Sequence, residues 1–84
     1  MIIRTIKTNE AEADRILNGE IRFIFRSDKD CYTDGDVIEF RVIKNEKEVL
    51  HRINSRKYVV TAVMDCMQAP IEKGYMFIGF RQMR

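Results

Sequence analysis

Residues 9–26 read Asn9-Glu10-Ala11-Glu12-Ala13-Asp14-Arg15-Ile16-Leu17-Asn18-Gly19-Glu20-Ile21-Arg22-Phe23-Ile24-Phe25-Arg26, and a change of period inside this stretch decides the fold. Up to Gly19 the apolar residues Ala13, Ile16 and Leu17 fall at i, i+3 and i+4, the spacing of one helix face. Asn9 with Glu12 three residues on is a capping-box pattern. Glu10, Glu12 and Asp14 put negative charge in the first turns, where the helix dipole favours it. Gly19 tolerates the left-handed backbone that ends a helix. One short helix over about residues 9–18 is expected. From Ile21 onward the period becomes two: Ile21, Phe23 and Phe25 alternate with Arg22, Ile24 and Arg26. The first set is expected to face the core and the second to face outward.

Working outward, every segment except that helix reads as strand or turn. Ile2 to Lys7 is rich in β-branched residues and precedes the helix as a first strand. Residues 27–36 form a polar loop ending in Thr33-Asp34-Gly35-Asp36, a strong turn signal. Val37 to Ile43 is the next strand, and polar residues 44–48 connect it to a strand over Val49 to Ile53. Residues 57–64 are nearly continuous apolar and read as a strand buried on both faces. After a connection over 67–73 broken by Pro70, residues 74–80 close the chain as a last strand. The expected fold is mostly β with one short helix (α+β), a small pseudo-barrel of about six mainly antiparallel strands.

Eighty-four residues hold one domain, 1–84, and 45% hydrophobic with 33% charged residues argues for a packed globule. The net charge of +2 conceals two unlike halves: residues 1–40 carry six Lys/Arg against nine Asp/Glu, and residues 41–84 nine against four. A polarity across the fold is therefore expected. No apolar run approaches the roughly 20 residues of a membrane span, and the first residues lack the pattern of a signal peptide. Cys31 and Cys66 have no CxxC partner and read as small core residues or free thiols of a reducing compartment, so a cytoplasmic location is expected. A metal site would have to recruit Cys31, Cys66 and the single His51 from unrelated segments, so neither metal nor cofactor is expected. His51, the only histidine, is expected to be exposed or to pack on its charged hairpin, so no Ser/His pair with a plausible third member is expected for nucleophilic catalysis.

The order of motifs is distinctive. Leu17-Asn18-Gly19 leads into a strand ending at Arg26, Gly35-Asp36-Val37-Ile38 opens another, Arg56-Lys57-Tyr58-Val59-Val60-Thr61 a later one, and Gly74-Tyr75-Met76-Phe77-Ile78-Gly79-Phe80 comes last. From about Lys7 to Phe80 the chain resembles the ASCH domain (activating-signal-cointegrator homology), a branch of the PUA-like β-barrels. The family signature is G-x-K-x-x-E-x-R; Gly19 and Arg26 match it, while Ile21 stands at the lysine and Ile24 at the acid. In members that hydrolyse acylated pyrimidine nucleosides, that lysine and a later carboxylate on an inserted helical segment do the chemistry. The resemblance therefore implies a barrel with a ligand cleft near Gly19 and Arg26, and no catalytic residue in this chain, because isoleucine cannot take the lysine's part and residues 66–73 are too few for the insert.

Non-catalytic binding of RNA or a nucleotide is the leading expectation. Arg22 and Arg26, alternating on one strand face, offer guanidinium groups to phosphate or bases. Arg52, Arg56 and Lys57 extend them as a basic stripe, with Tyr58 or Tyr75 as a stacking surface. Pairing of these arginines with acids across the sheet is the plain structural alternative. Glu10, Asp14 and Glu20 would repel phosphate if the helix lines the cleft. Two other readings stand beside this one. The first is a nucleoside-like small-molecule pocket or degenerate amidohydrolase. The second is a protein-interaction module, monomeric or a weak homodimer, built on exposed Ile24 and Met76.

Overall fold

The computed structural model describes residues 3–27, 31–65, 67, 71 and 73–83. Its elements are β1 (Ile3–Thr8), α1 (Glu10–Leu17), β2 (Phe23–Ser27), β3 (Val37–Lys44), β4 (Lys47–Val49), a 3-10 turn (Arg52–Ser55), β5 (Tyr58–Met64) and β6 (Tyr75–Gln82). The protein is thus mostly β with one short helix. The strands form one mixed six-stranded sheet in the order β1-β3-β5-β6-β2, with β4 paired to β3. Only β1 and β3 run parallel; the other pairings are antiparallel. The sheet curls without closing, so β1 and β2 are its two open edges.

The helix forms and stops where the sequence says it should. The Asn9 side chain accepts a hydrogen bond from the Glu12 N–H at 2.7 Å. The other half of the expected capping box is replaced: the Glu12 carboxylate accepts from the Thr8 hydroxyl at 2.6 Å and pairs with Arg26 at 3.3 Å. At the far end the Gly19 N–H donates to the Ile16 carbonyl and the Glu20 N–H to the Arg15 carbonyl, a Schellman motif with Gly19 at φ +77°. A Cβ on Gly19 would meet nothing within 4 Å, so the backbone conformation alone asks for glycine.

Ala13 and Ile16 of the helix pack against the inner face of the sheet with Ile6, Ile38, Phe40, Val42, Ile53, Tyr58, Val60, Met76, Ile78 and Phe80. Phe40, Tyr58 and Phe80 form the centre of this core, their ring centroids 5.3–5.5 Å apart in tilted and edge-to-face arrangements. The loop before β3 is held by the buried Asp36, whose carboxylate accepts from the Thr33 N–H and pairs with Arg4 at 3.4 Å.

Several sequence expectations are overturned. The faces of β2 are inverted: Ile24 is buried at 3% exposure, whereas Phe23 and Phe25 are 46% and 49% exposed. The cause lies in β6, where Met76, Ile78 and Phe80 supply the inner face; Ile24 pairs with Ile78 and so joins the core. Ile24 and Met76 are therefore not exposed docking residues, and a homodimer cannot be built on them. The strand expected over Val49 to Ile53 ends at Val49; a tight turn at Asn45 and Glu46, both at positive φ, is followed by an exposed Leu50 and the 3-10 turn. Strand β5 is not buried on both faces, because Thr61 projects outward at a bulge between Val60 and Ala62. Cys31 is exposed and free, not a core residue; Cys66 and Pro70 lie outside the described residues. The two charged halves do not become two faces. Sheet order interleaves them, and Lys44–Glu10, Lys57–Glu39 and His51–Asp14 join acids of the first half to bases of the second.

His51 does more than sit on a hairpin. Its Nδ1 accepts the Ile53 N–H at 3.0 Å, so the ring proton is on Nε2 and donates to Asp14 Oδ1 at 2.6 Å. The ring caps the 3-10 turn and ties it to α1. His51→Ala is expected to lower stability by about 1–2 kcal/mol. His51→Asn, which keeps a cap acceptor, should recover about half. Urea unfolding followed by circular dichroism checks both, and a midpoint unchanged in His51→Ala would mean that the cap contributes nothing.

Candidate functional site

The end of the helix, the residues leading into β2, and the facing ends of β5 and β6 surround a recess of about 350 Å³. Ile16, Leu17, Gly19 and Ile21 form one wall, Tyr58 and Phe80 the floor side, and Arg22, Arg81 and Gln82 supply its polar groups. The size suits a small ligand. The Schellman turn creates this recess, because it swings the chain away from the helix axis and brings Ile21 and Arg22 alongside β6, where the Phe80 N–H bonds the Arg22 carbonyl at 3.0 Å.

The charges of the recess are one-sided. Arg22 and Arg81 are exposed and form no ion pair among the described residues, and no carboxylate, histidine or cysteine lines the wall. The Tyr58 hydroxyl is buried without a hydrogen-bond partner, one of two such side-chain atoms among the described residues. Desolvation raises the phenol above its ordinary 10.0, and the charge of Arg56 offsets part of that rise. Tyr58 is therefore neutral throughout the physiological range. Since the folded state holds this proton where the unfolded chain would lose it, stability falls as pH rises past about 10.

The structure divides the sequence-predicted site residues. Gly19 and Arg22 meet in the recess. Arg26 does not: it lines a separate open groove with Lys7, Thr8, Asn9, Glu12 and Ile43. Its guanidinium donates to the Phe25 carbonyl at 2.7 Å, the Lys7 carbonyl at 3.3 Å and the Glu12 carboxylate at 3.3 Å. These bonds tie β2 to β1 across the open seam of the sheet, so Arg26 is a clasp. Arg52 is exposed in the 3-10 turn and Arg56 follows it as the cap, close enough to act on Tyr58. Lys57 is engaged by Glu39 at 3.0 Å. The expected stripe of Arg22, Arg26, Arg52, Arg56 and Lys57 is therefore broken at Arg26 and Lys57.

The acids expected to repel phosphate are themselves paired: Glu10 with Lys44, Asp14 with His51, Glu20 with Arg15. Sequence reasoning missed Arg81 and Gln82, which follow the last strongly apolar residue and read as a polar tail; β6 running on to Gln82 brings them to the recess. Tyr58 is a core ring and not an exposed stacking surface, while Tyr75 does project outward at 47% exposure. Among the described residues no group of His, Cys, Asp and Glu is placed to hold a metal, and no helix is long and apolar enough to cross a membrane. No protein-family model matches the chain, and no curated protein does.

Proposed function

We propose that this domain is a non-catalytic nucleotide-binding module, taking a free nucleotide or the end of an RNA strand in the recess beside Gly19. The observation that carries this reading is the presence of two guanidiniums, Arg22 and Arg81, that form no ion pair among the described residues, beside the apolar side chains of Ile16, Leu17, Ile21 and Phe80. A planar heterocycle with a phosphate matches that set: the ring packs against Ile16, Ile21 and Phe80, and the phosphate meets the arginines. The resemblance to ASCH domains supports the same reading, since it places a ligand cleft near the signature glycine. Ile21, at the signature lysine, lines the recess as an apolar group. Among the described residues no base or nucleophile lines the recess beside it, which favours binding over hydrolysis.

Titration calorimetry with uridine monophosphate tests the proposal. Arg22→Ala and Arg81→Ala should each weaken binding about ten-fold, the usual worth of one charged hydrogen bond. Tyr58→Phe separates stability from binding, because it removes an unsatisfied buried hydroxyl that is not exposed to the recess. It should raise stability by about 1 kcal/mol and leave nucleotide affinity within about two-fold. Unchanged affinity in both arginine variants would remove the recess as the binding site.

A further inference from the structure

The outer face of β2 and β6 is built unlike the rest of the surface. Phe23 and Phe25, each about half exposed, surround the ring of Phe77: Phe23 lies nearly parallel to it at 5.0 Å, and Phe25 meets both rings edge-on at 5.7–5.9 Å. The register sets Phe25 opposite Phe77, Phe23 opposite Gly79 and Ser27 opposite the exposed Tyr75. Alternation along β6 puts Arg81 on this same face, two residues beyond Gly79. Across β6 the face continues onto Met64, opposite Phe77, and Ala62, opposite Gly79. None of these residues is acidic. Arg81 also lines the recess, so this residue lies where the cavity and the aromatic face adjoin.

We propose that this face is a stacking platform for single-stranded nucleic acid, which continues from the nucleotide in the recess past Arg81 onto Phe23, Phe77 and Phe25. Charge complementarity selects the occupant. Among the described residues named above, the face offers flat rings, a cation at the recess end and no carboxylate, so it fits a partner that is planar and anionic at once. Half-exposed rings on a sheet stack bases without regard to sequence, and comparable faces accommodate two or three bases. The folded chain gains no core from these rings, since the opposite side of β2 supplies Ile24. Leaving them in water is unfavourable unless something covers them.

This inference rests on the nucleotide reading of the recess, and the two can fail separately. The chain has no tryptophan, so Phe25→Trp introduces a single fluorescent ring on the platform. Titration with a uridine 12-mer should quench that indole strongly, whereas saturating uridine monophosphate should leave it unchanged. Phe23→Leu and Phe77→Leu, which keep apolar bulk and lose the flat ring, should each weaken the 12-mer roughly ten-fold and leave the mononucleotide unaffected. A 12-mer that binds no tighter than the mononucleotide and does not quench overturns the platform while the recess stands. Quenching by the 12-mer without mononucleotide binding supports the platform and overturns the recess. A concentration-dependent dimer in sedimentation that shields the indole and excludes the 12-mer assigns the face to a second copy of the chain, and the proposal fails.

Discussion

Phe40→Ala is expected to lower stability by about 3–5 kcal/mol and the melting midpoint by roughly 15–30 °C. Phe40 is fully buried and contacts both Tyr58 and Phe80, so truncation leaves a cavity lined by two rigid rings that cannot collapse into it. A chain of 84 residues has a total stability on the order of 4–12 kcal/mol, so the variant sits near the unfolding threshold. Phe25→Ala supplies the contrast. Sequence alternation puts Phe25 in the core; the structure exposes half of it, and its loss should cost about 1 kcal/mol or less. Thermal and urea unfolding of the two variants side by side measures the inversion of β2 directly. Equal destabilisation would mean that the assigned faces are wrong.

That inversion shows where sequence reading works and where it stops. Period and punctuation placed every element that local rules govern: Asn9 and Gly19 bound the helix, Val37 begins β3, and residues 58–64 form β5. Alternation in Ile21 to Arg26 likewise resolved two faces. Which face turns inward is not a local property. It depends on β6, about fifty residues later, where Ile78 meets Ile24 and fixes both strands at once. Counting apolar residues favours the phenylalanine side, and that count cannot distinguish a core face from an exposed aromatic face. The missed 3-10 turn has a similar cause. Val49 to Ile53 has the composition of a strand, but the His51 ring bonds the Ile53 N–H and takes it out of any ladder.

The site was legible in part for the same reasons. Gly19 and Arg22 lie within four residues of each other at a helix end, and local chain geometry suffices to bring them to one recess. Arg81 and Tyr58 arrive there through sheet order, which no spacing in the sequence announces. Arg26 was selected by its match to a family signature and its alternation with Arg22. Both observations hold, yet four residues of strand carry it far enough along β2 to reach the seam with β1 and a different set of partners.

Arg26→Ala should therefore behave as a stability mutation and not as a binding mutation. The guanidinium satisfies two backbone carbonyls and the Glu12 carboxylate, and it is the described link that holds the open edges β1 and β2 together. Its removal costs about 2 kcal/mol, less than three charged hydrogen bonds would suggest, because roughly a quarter of each side chain remains in water and the ion-pair share is screened. Glu12 keeps the Thr8 hydroxyl, so the helix start stays capped and the damage is confined to the seam. Amide exchange should accelerate in β1 and β2 while β5 and β6 keep their protection. Arg26→Lys keeps the charge without the planar fork and should recover less than half of the loss. Uridine monophosphate affinity, measured well below the melting midpoint, should stay within about two-fold of the unaltered chain, against the ten-fold loss expected at Arg22. If Arg26→Ala instead abolishes binding and leaves exchange at the seam untouched, the arginine serves the ligand and the seam between β1 and β2 is held by something else.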